Sequence, residues 1–274
     1  MQYNFSGIPA GVLCASQTVD PALRKYPKLP AGEKIMHEQF IRSAFVLGND
    51  AIERLKTKKV ILFGVGGVGS FCAEALARIG IGTICLVDPD NVSVSNINRQ
   101  LIALHSTVGK NKAEVMKERI KDINPEAKVT ALPLFYLPEN ADSIPLEEYD
   151  IIIDAIDTVS AKIELVVRAN ALHIPILCAM GTGNKMHPEK LVATDLSQTN
   201  TCPLARVMRK ELKARGINHL RVVYSTEAPI PRHADYIGYE DGKRGTPGSI
   251  SFVPSSAGLL LASEAVRILL ENAK

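Results

Sequence analysis

The chemistry-bearing residues of this chain begin at Gly64-Val65-Gly66-Gly67-Val68-Gly69, which satisfies G-x-G-x-x-G between a short apolar run and a helical pattern. Glycines at this spacing permit a tight turn and close backbone approach, and a helix starting there offers N–H groups and a positive dipole end to phosphates. About twenty positions on, Asp88 stands at the tip of the next apolar run, placed to hold ribose hydroxyls. The chain then continues through Asn96, Asn98, Arg99 and Gln100. Carboxamides and a guanidinium packed into five residues suit a polyphosphate better than a nicotinamide. Lys112 opens the next predicted helix, where a cation costs dipole energy unless an anion lies nearby. Asp154 and Asp157 close a further apolar run, and either could hold Mg²⁺. Charge neutralisation at a nucleoside triphosphate is the chemistry this set would do.

The elements that must position these residues alternate. Val60–Phe63, Thr83–Val87, Val129–Leu134, Ile151–Ile153 and Pro175–Ala179 are predicted strands. Most are continuous apolar runs, as strands buried on both faces require. Helical spacing covers Arg42–Leu55, Phe71–Ile79, Lys112–Ile123 and the face Ile163, Val166, Val167 and Asn170. The expected fold class is α/β: a Rossmann-like, mostly parallel sheet flanked by helices. The C-terminal third changes character and predicts a mixed extension of the sheet. Its strands are Leu191–Thr194 and Leu220–Tyr224 around a basic helix at Leu204–Arg215, followed by a loop from about Pro229 to Gly248. A strand at Ile250–Val253 and a helix at Ala257–Leu270 complete it. Residues 1–38 hold four prolines without sustained periodicity and read as an irregular arm. Residues 39–274 read as one domain, with a nucleotide half at about 57–180 and a substrate side at about 181–274.

Composition sets limits on function. Hydrophobic residues make up 46% of the 274 and charged residues 22%, which excludes wholesale disorder. Five cysteines are scattered without a CxxC pair. Neither a disulfide framework nor a zinc site is expected, and reduced thiols point to the cytoplasm. The uncharged stretch Met1–Val19 lacks the basic start of a secretory signal. The uncharged stretch Gly245–Ser263 is rich in Gly, Pro and Ser and reads as a buried C-terminal element, so no membrane span is expected. A net charge of +3 is too weak to argue for nucleic acid, yet Pro203–Arg221 alone carries six cations against Glu211. Arg206, Arg209, Lys210 and Lys213 recur at i, i+3, i+4 and i+7, with Leu204, Val207, Met208 and Leu212 expected on the opposite side. Such a face suits successive phosphate contacts. Aromatic interleaving is absent, so base stacking is not predicted.

In order and spacing, the motifs at 64–69, Asp88, 96–100, Val108-Gly109 with Lys112, and 154–157 resemble the ThiF/MoeB-type adenylating superfamily, relatives of ubiquitin-activating enzymes. The resemblance implies ATP and Mg²⁺ as cofactors. Gly64, Gly66, Gly67 and Gly69 would line the phosphate loop and Asp88 would bind ribose. Asn96, Asn98, Arg99, Gln100 and Lys112 would contact the nucleotide, and Asp157 would bind Mg²⁺. Arg99, Lys112 and Asp157 would carry catalysis. Arg42 would reach the partner subunit's ATP, so a homodimer is implied. Carrier-activating members of the superfamily usually hold zinc on two CxxC pairs, which this chain lacks. Asp195–Thr199, Cys202–Ala205, Tyr224–Glu227 and Pro247–Pro254 resemble instead the tRNA threonylcarbamoyladenosine dehydratase branch. That branch implies tRNA as substrate, held by Arg206, Arg209, Lys210 and Lys213, and leaves room for a cysteine desulfurase or sulfur-acceptor system as a partner. The runner-up expectation is adenylation of a ubiquitin-like sulfur carrier. Cys202 reads as a structural thiol, because ring closure needs no thioester, and no general base is identified.

Overall fold

The computed structural model describes residues 38–231, 233 and 247–271. The predicted arm at 1–38 lies outside them except for its last residue, as does most of the predicted loop at 229–248. Seven strands form one sheet in the order β3-β2-β1-β4-β5-β7-β6. They are β1 (Lys59–Phe63), β2 (Thr83–Val87), β3 (Lys128–Leu132), β4 (Ile151–Asp154), β5 (Ile176–Ala179), β6 (Leu191–Asp195) and β7 (Arg221–Ser225). All neighbours are parallel except β6 and β7, which pair antiparallel from Leu191↔Ser225 to Asp195↔Arg221. The fold is therefore Rossmann-like with a mixed edge. Chain order reverses about β1, whose Phe63 pairs with Val87 on one side and Asp154 on the other. Open α/β sheets bind ligands in the crevice above such a switch point.

Alternation along the strands divides the core into layers. Val60, Leu62, Ile84 and Leu86 point to the face covered by α3 (Gly69–Ile79), α4 (Lys112–Ile123) and α7 (Phe252–Glu271). Ile61, Phe63, Cys85 and Val87 point to the face under α5 (Val159–Ala171). Under β5 and β7, the apolar side of α6 (Pro203–Lys213) packs Ala205, Met208 and Leu212 against Cys178 and Val222. Complete burial of each such aliphatic side chain contributes about 1.5–3 kcal/mol.

Three predicted elements change. The helix expected over Arg42–Leu55 is two, α1 (Ile41–Leu47) and α2 (Asn49–Thr57), because Gly48 adopts φ +86° between them. The strand expected at Ile250–Val253 is not formed; Phe252 and Val253 already belong to α7. This helix starts five residues earlier than predicted because Val253, Pro254 and Ala257 pack inward from its first turns. Val207, expected on the apolar side of α6, is 42% exposed. By length and composition α7 could cross a membrane, yet Gly258 lies so close to α3 that a Cβ there would fall 2.2 Å from the Val68 carbonyl.

Candidate active site

Above the carboxyl ends of β1, β2 and β4 lies a cleft of about 320 Å³. Its floor is the glycine loop. Gly64 leaves β1 at φ +87°, and a Cβ there would meet the Ala155 carbonyl oxygen at 2.7 Å. A Cβ on Gly69 would fall 1.8 Å from the Gly64 carbonyl, so the loop and the start of α3 close on each other. Gly66 differs. Its missing Cβ would face only the Gln100 amide, at 3.7 Å, so the backbone there is left open to a ligand. No side chain caps α3 at Val68, and the helix start closes on the loop through the Ser70 N–H, which donates to the Gly66 carbonyl at 3.0 Å.

The loop is braced by an acid. Asp88, 5% exposed, accepts from the Val65 N–H at 2.6 Å and from the Asp90 N–H at 2.9 Å. Burial pushes its carboxyl up from the ordinary value, partly offset by the Lys112 charge and by these two N–H donors. Lys112 is buried as well, and its Nζ donates to Asp90 Oδ2 at 2.8 Å. Asp90 thus supplies the anion that a cation at the start of α4 requires. A triphosphate entering the cleft would meet this ammonium already held in place.

The amide cluster divides into two groups. Asn96, Arg99 and Gln100 line the cleft with Gly64, Gly66, Gly67, Asp88, Lys112 and Asp157. Asn96 Oδ1 accepts from the Ser93 N–H at 3.1 Å, closing the turn that presents Arg99. Arg99 Nη1 donates to the Ser95 carbonyl and to Asn98 Oδ1, at 2.9 and 3.0 Å. The Oε1 of Gln100 is buried without a hydrogen-bond partner among the described residues, a polar atom left unsatisfied beside the cleft. Asn98 and Gly69 are not among the cleft residues. Asn98 Nδ2 donates instead to the Ser249 carbonyl at 2.8 Å, tying the cluster to the segment that enters α7.

The two aspartates after β4 separate in role. Asp154 is completely buried and paired with Lys162. Asp157 is exposed and lines the cleft. Among the described residues, no group of three His, Cys, Asp or Glu could by itself hold a metal ion. One carboxylate beside a phosphate site still fits Mg²⁺, which keeps several waters and is held by one or two carboxylates plus substrate phosphates.

Several wall residues lie outside the predicted site set: Leu134-Phe135-Tyr136 after β3, Thr182 after β5, and Ser249 with Pro254, from the Pro247–Pro254 segment, at the entrance to α7. All but the last two follow carboxyl ends of strands, the signal that could have found them. Phe135 is half-exposed. Tyr136 lies edge-on to Phe63, with ring centroids 4.9 Å apart, and burial pushes its phenol up to about 12. Cys202 is buried at the start of α6, and its sulfur would lie 3.8 Å from a Cβ on Gly181.

Two expected site groups lie elsewhere. Arg42 lines a separate groove of about 790 Å³ between α1, α3 and α7, beside Val46, Leu259 and Val266. On α6, Arg206, Lys210 and Lys213 are exposed, whereas Arg209 turns inward and donates to the Thr199 carbonyl at 2.7 Å.

The sequence profile of the ThiF family matches residues 38–274. The chain is similar to the tRNA threonylcarbamoyladenosine dehydratase of Bacillus subtilis strain 168, with 43% identity over 245 residues, 86% of this chain and 96% of the relative. It is also similar to the crystal structure of Escherichia coli tRNA N6-threonylcarbamoyladenosine dehydratase, TcdA, in complex with AMP. That match has TM-score 0.78 and 35% identity and covers 88% of this chain and 99% of that one. The complex of the same E. coli protein with ATP matches with TM-score 0.76 and 35% identity over 86% and 95% of the two chains. With the profile spanning the whole described fold and the relatives agreeing over nearly all of it, this chain belongs to the ThiF family.

Proposed function

We propose that this chain is an ATP-dependent tRNA threonylcarbamoyladenosine dehydratase. The observation that carries the reading is one cleft in which an open glycine loop, Arg99 and a pre-positioned Lys112 converge, in a chain similar over most of its length to dehydratases of that name. Gly64, Gly66, Gly67 and Gly69 shape the phosphate loop, and Asp88 holds both that loop and the ribose. A carboxylate oxygen of the threonyl group attacks the α-phosphorus in line, and pyrophosphate leaves. Arg99 and Lys112 neutralise the charge that spreads over the phosphoryl oxygens, so the protein needs no nucleophile of its own. A nucleophile already tethered on the modified adenosine then attacks the acyl-adenylate carbonyl, AMP departs with the former carboxylate oxygen, and a ring closes. The net change is loss of water. Tethering supplies effective molarity, which leaves the protein to position and shield. Asp157 would hold Mg²⁺, which would supply further charge neutralisation at the phosphates.

The tRNA backbone lies along Arg206, Lys210 and Lys213 in this reading, with Arg209 bracing the helix from behind. Residues 57–180 supply most of the nucleotide cleft, with Thr182, Ser249 and Pro254 completing its wall, and residues 181–274 otherwise form the tRNA side, within one domain over 39–274. Arg42 lies in the apolar groove rather than in its own cleft, which supports a homodimer in which it completes the partner subunit's site. A cytoplasmic location suits the buried, unpaired Cys72, Cys85, Cys178 and Cys202. A cysteine desulfurase or sulfur-acceptor partner remains an addition to this scheme rather than a requirement of it.

The test mixes protein, Mg²⁺-ATP and tRNA bearing threonylcarbamoyladenosine, then analyses the nucleosides by mass spectrometry under mild conditions. The modified nucleoside should lose the mass of one water, with AMP formed in step. AMP formation triggered only by a small carrier protein, with the nucleoside unchanged, would transfer the chain to the sulfur-carrier reading.

A further inference from the structure

The fully buried pair Lys162–Asp154 has no part in the chemistry above. Neither side chain is exposed, and Nζ of Lys162 donates to Asp154 Oδ2 at 2.8 Å. Such a pair is weak evidence for stability, since apolar residues of similar volume commonly serve the fold as well or better. What an apolar pair would not supply is the second bond of the carboxylate. Asp154 Oδ1 accepts from the Ile156 N–H at 3.1 Å, two residues along the turn that ends at Asp157. The same turn is held from below, where the Ala155 N–H donates to the Phe63 carbonyl at 2.8 Å. It is held from the side by the approach of the Ala155 carbonyl to Gly64, a contact that only glycine admits.

We infer that Asp154, its buried charge balanced by Lys162, is a positioning residue for the proposed Mg²⁺–ATP site: its side-chain oxygen fixes the 155–157 turn and so the place of Asp157 against the phosphate loop. The inference rests on the reading of Asp157 as the Mg²⁺ carboxylate. Lys162 sits on α5 and its partner on β4, so the pair also sets the helix against the strand end from which the turn departs. A ligand-bearing turn fixed by a second layer of bonds is how metal sites are tuned, and loss of such outer partners typically costs 10–100-fold in metal affinity.

The test compares two double variants in binding experiments without turnover. Asp154→Leu with Lys162→Met removes both charges and the acceptor for the Ile156 N–H. Asp154→Asn with Lys162→Met removes the charges and keeps an acceptor oxygen. Titrations with ATP in EDTA and in Mg²⁺ separate nucleotide affinity from the metal's contribution, and thermal melting reports the fold. The Leu/Met variant should melt near the wild type and bind metal-free ATP within about twofold, while the Mg²⁺ concentration for half-maximal effect rises about tenfold or more. The Asn/Met variant should recover to within about threefold of the wild type. A folded Leu/Met variant with unchanged Mg²⁺ dependence would overturn the inference, as would failure of both variants to fold, which would assign the pair to folding alone. Wild-type protein whose ATP binding ignores Mg²⁺ would overturn the underlying reading of Asp157 instead.

Discussion

Asp88 accepts a 2.6 Å hydrogen bond from the Val65 N–H, joining the tip of β2 to the first turn of the phosphate loop. The same carboxylate takes the Asp90 N–H, and Asp90 in turn holds Lys112. One buried acid therefore organises three parts of the cleft before any nucleotide enters. Asp88→Asn leaves one oxygen for two N–H donors, so either Val65 or Asp90 loses its partner. The expected cost is about 1–3 kcal/mol of stability, with ATP affinity falling on the order of tenfold or more as the proposed ribose acceptor and the loop brace weaken together. Thermal melting and calorimetric ATP titration check this; unchanged affinity would remove Asp88 from the nucleotide site.

Much of this arrangement is legible in the sequence because its parts are local. The glycine loop, Asp88 and the 96–100 cluster are each contiguous, and buried parallel strands read as unbroken apolar runs. What does not read is how separate segments meet. Nothing in the spacing of Asp154 and Asp157 tells which is buried, since that depends on Lys162 eight residues on. Asn98 reads as a phosphate ligand and instead ties to Ser249, 151 residues away. Arg209 shares its helical face with Arg206, Lys210 and Lys213, and only the neighbouring Thr199 turns it inward.

That difference on α6 makes a prediction. Glutamate at both 210 and 213 should weaken tRNA binding and flatten its salt dependence, the log–log slope falling by roughly 0.7–0.9 for each phosphate no longer neutralised. ATP binding should persist. Arg209→Ala should behave otherwise, costing about 1 kcal/mol of stability as its bonds to Thr199 disappear. Filter binding across a salt series, with melting curves for each variant, separates the two effects. If the double reversal left tRNA affinity unchanged, the helix would be a solvated surface.

Acid should loosen the packing of α7 on the sheet. Glu264 accepts from Arg221 on β7 and from Arg267 on its own helix, both at 2.8 Å. Burial pushes its carboxyl up, but the hydrogen bonds from Arg267 and Arg221 outweigh burial and leave it below the ordinary 4.5. A carboxyl lowered by folding binds protons less readily in the native state, so its contribution is present above pH 4.5 and lost as pH falls through the folded value. Glu264→Gln should lower stability at neutral pH by about 1–2 kcal/mol, with solvent screening at the exposed arginines limiting the effect. The variant should also lose less stability than the wild type between about pH 6 and 3. Melting temperatures across that range give the comparison, and equal losses would place the acid sensitivity elsewhere.

The two glycines of the loop should fail in different ways. A methyl on Gly64 meets the Ala155 carbonyl oxygen at 2.7 Å and is strained by φ +87° as well, so Gly64→Ala should destabilise the fold by on the order of 1–3 kcal/mol. Gly66→Ala places its methyl in ordinary contact with the Gln100 amide, 3.7 Å away, and the protein has room for it. The space it takes is where the backbone would approach a phosphate. Gly66→Ala should therefore melt within about 1 kcal/mol of the wild type while its ATP affinity falls at least about tenfold, or roughly 1.4 kcal/mol. Paired melting and ATP titration of the two variants test whether the open position is the phosphate cradle. Full ATP affinity in Gly66→Ala would place the phosphates away from this turn.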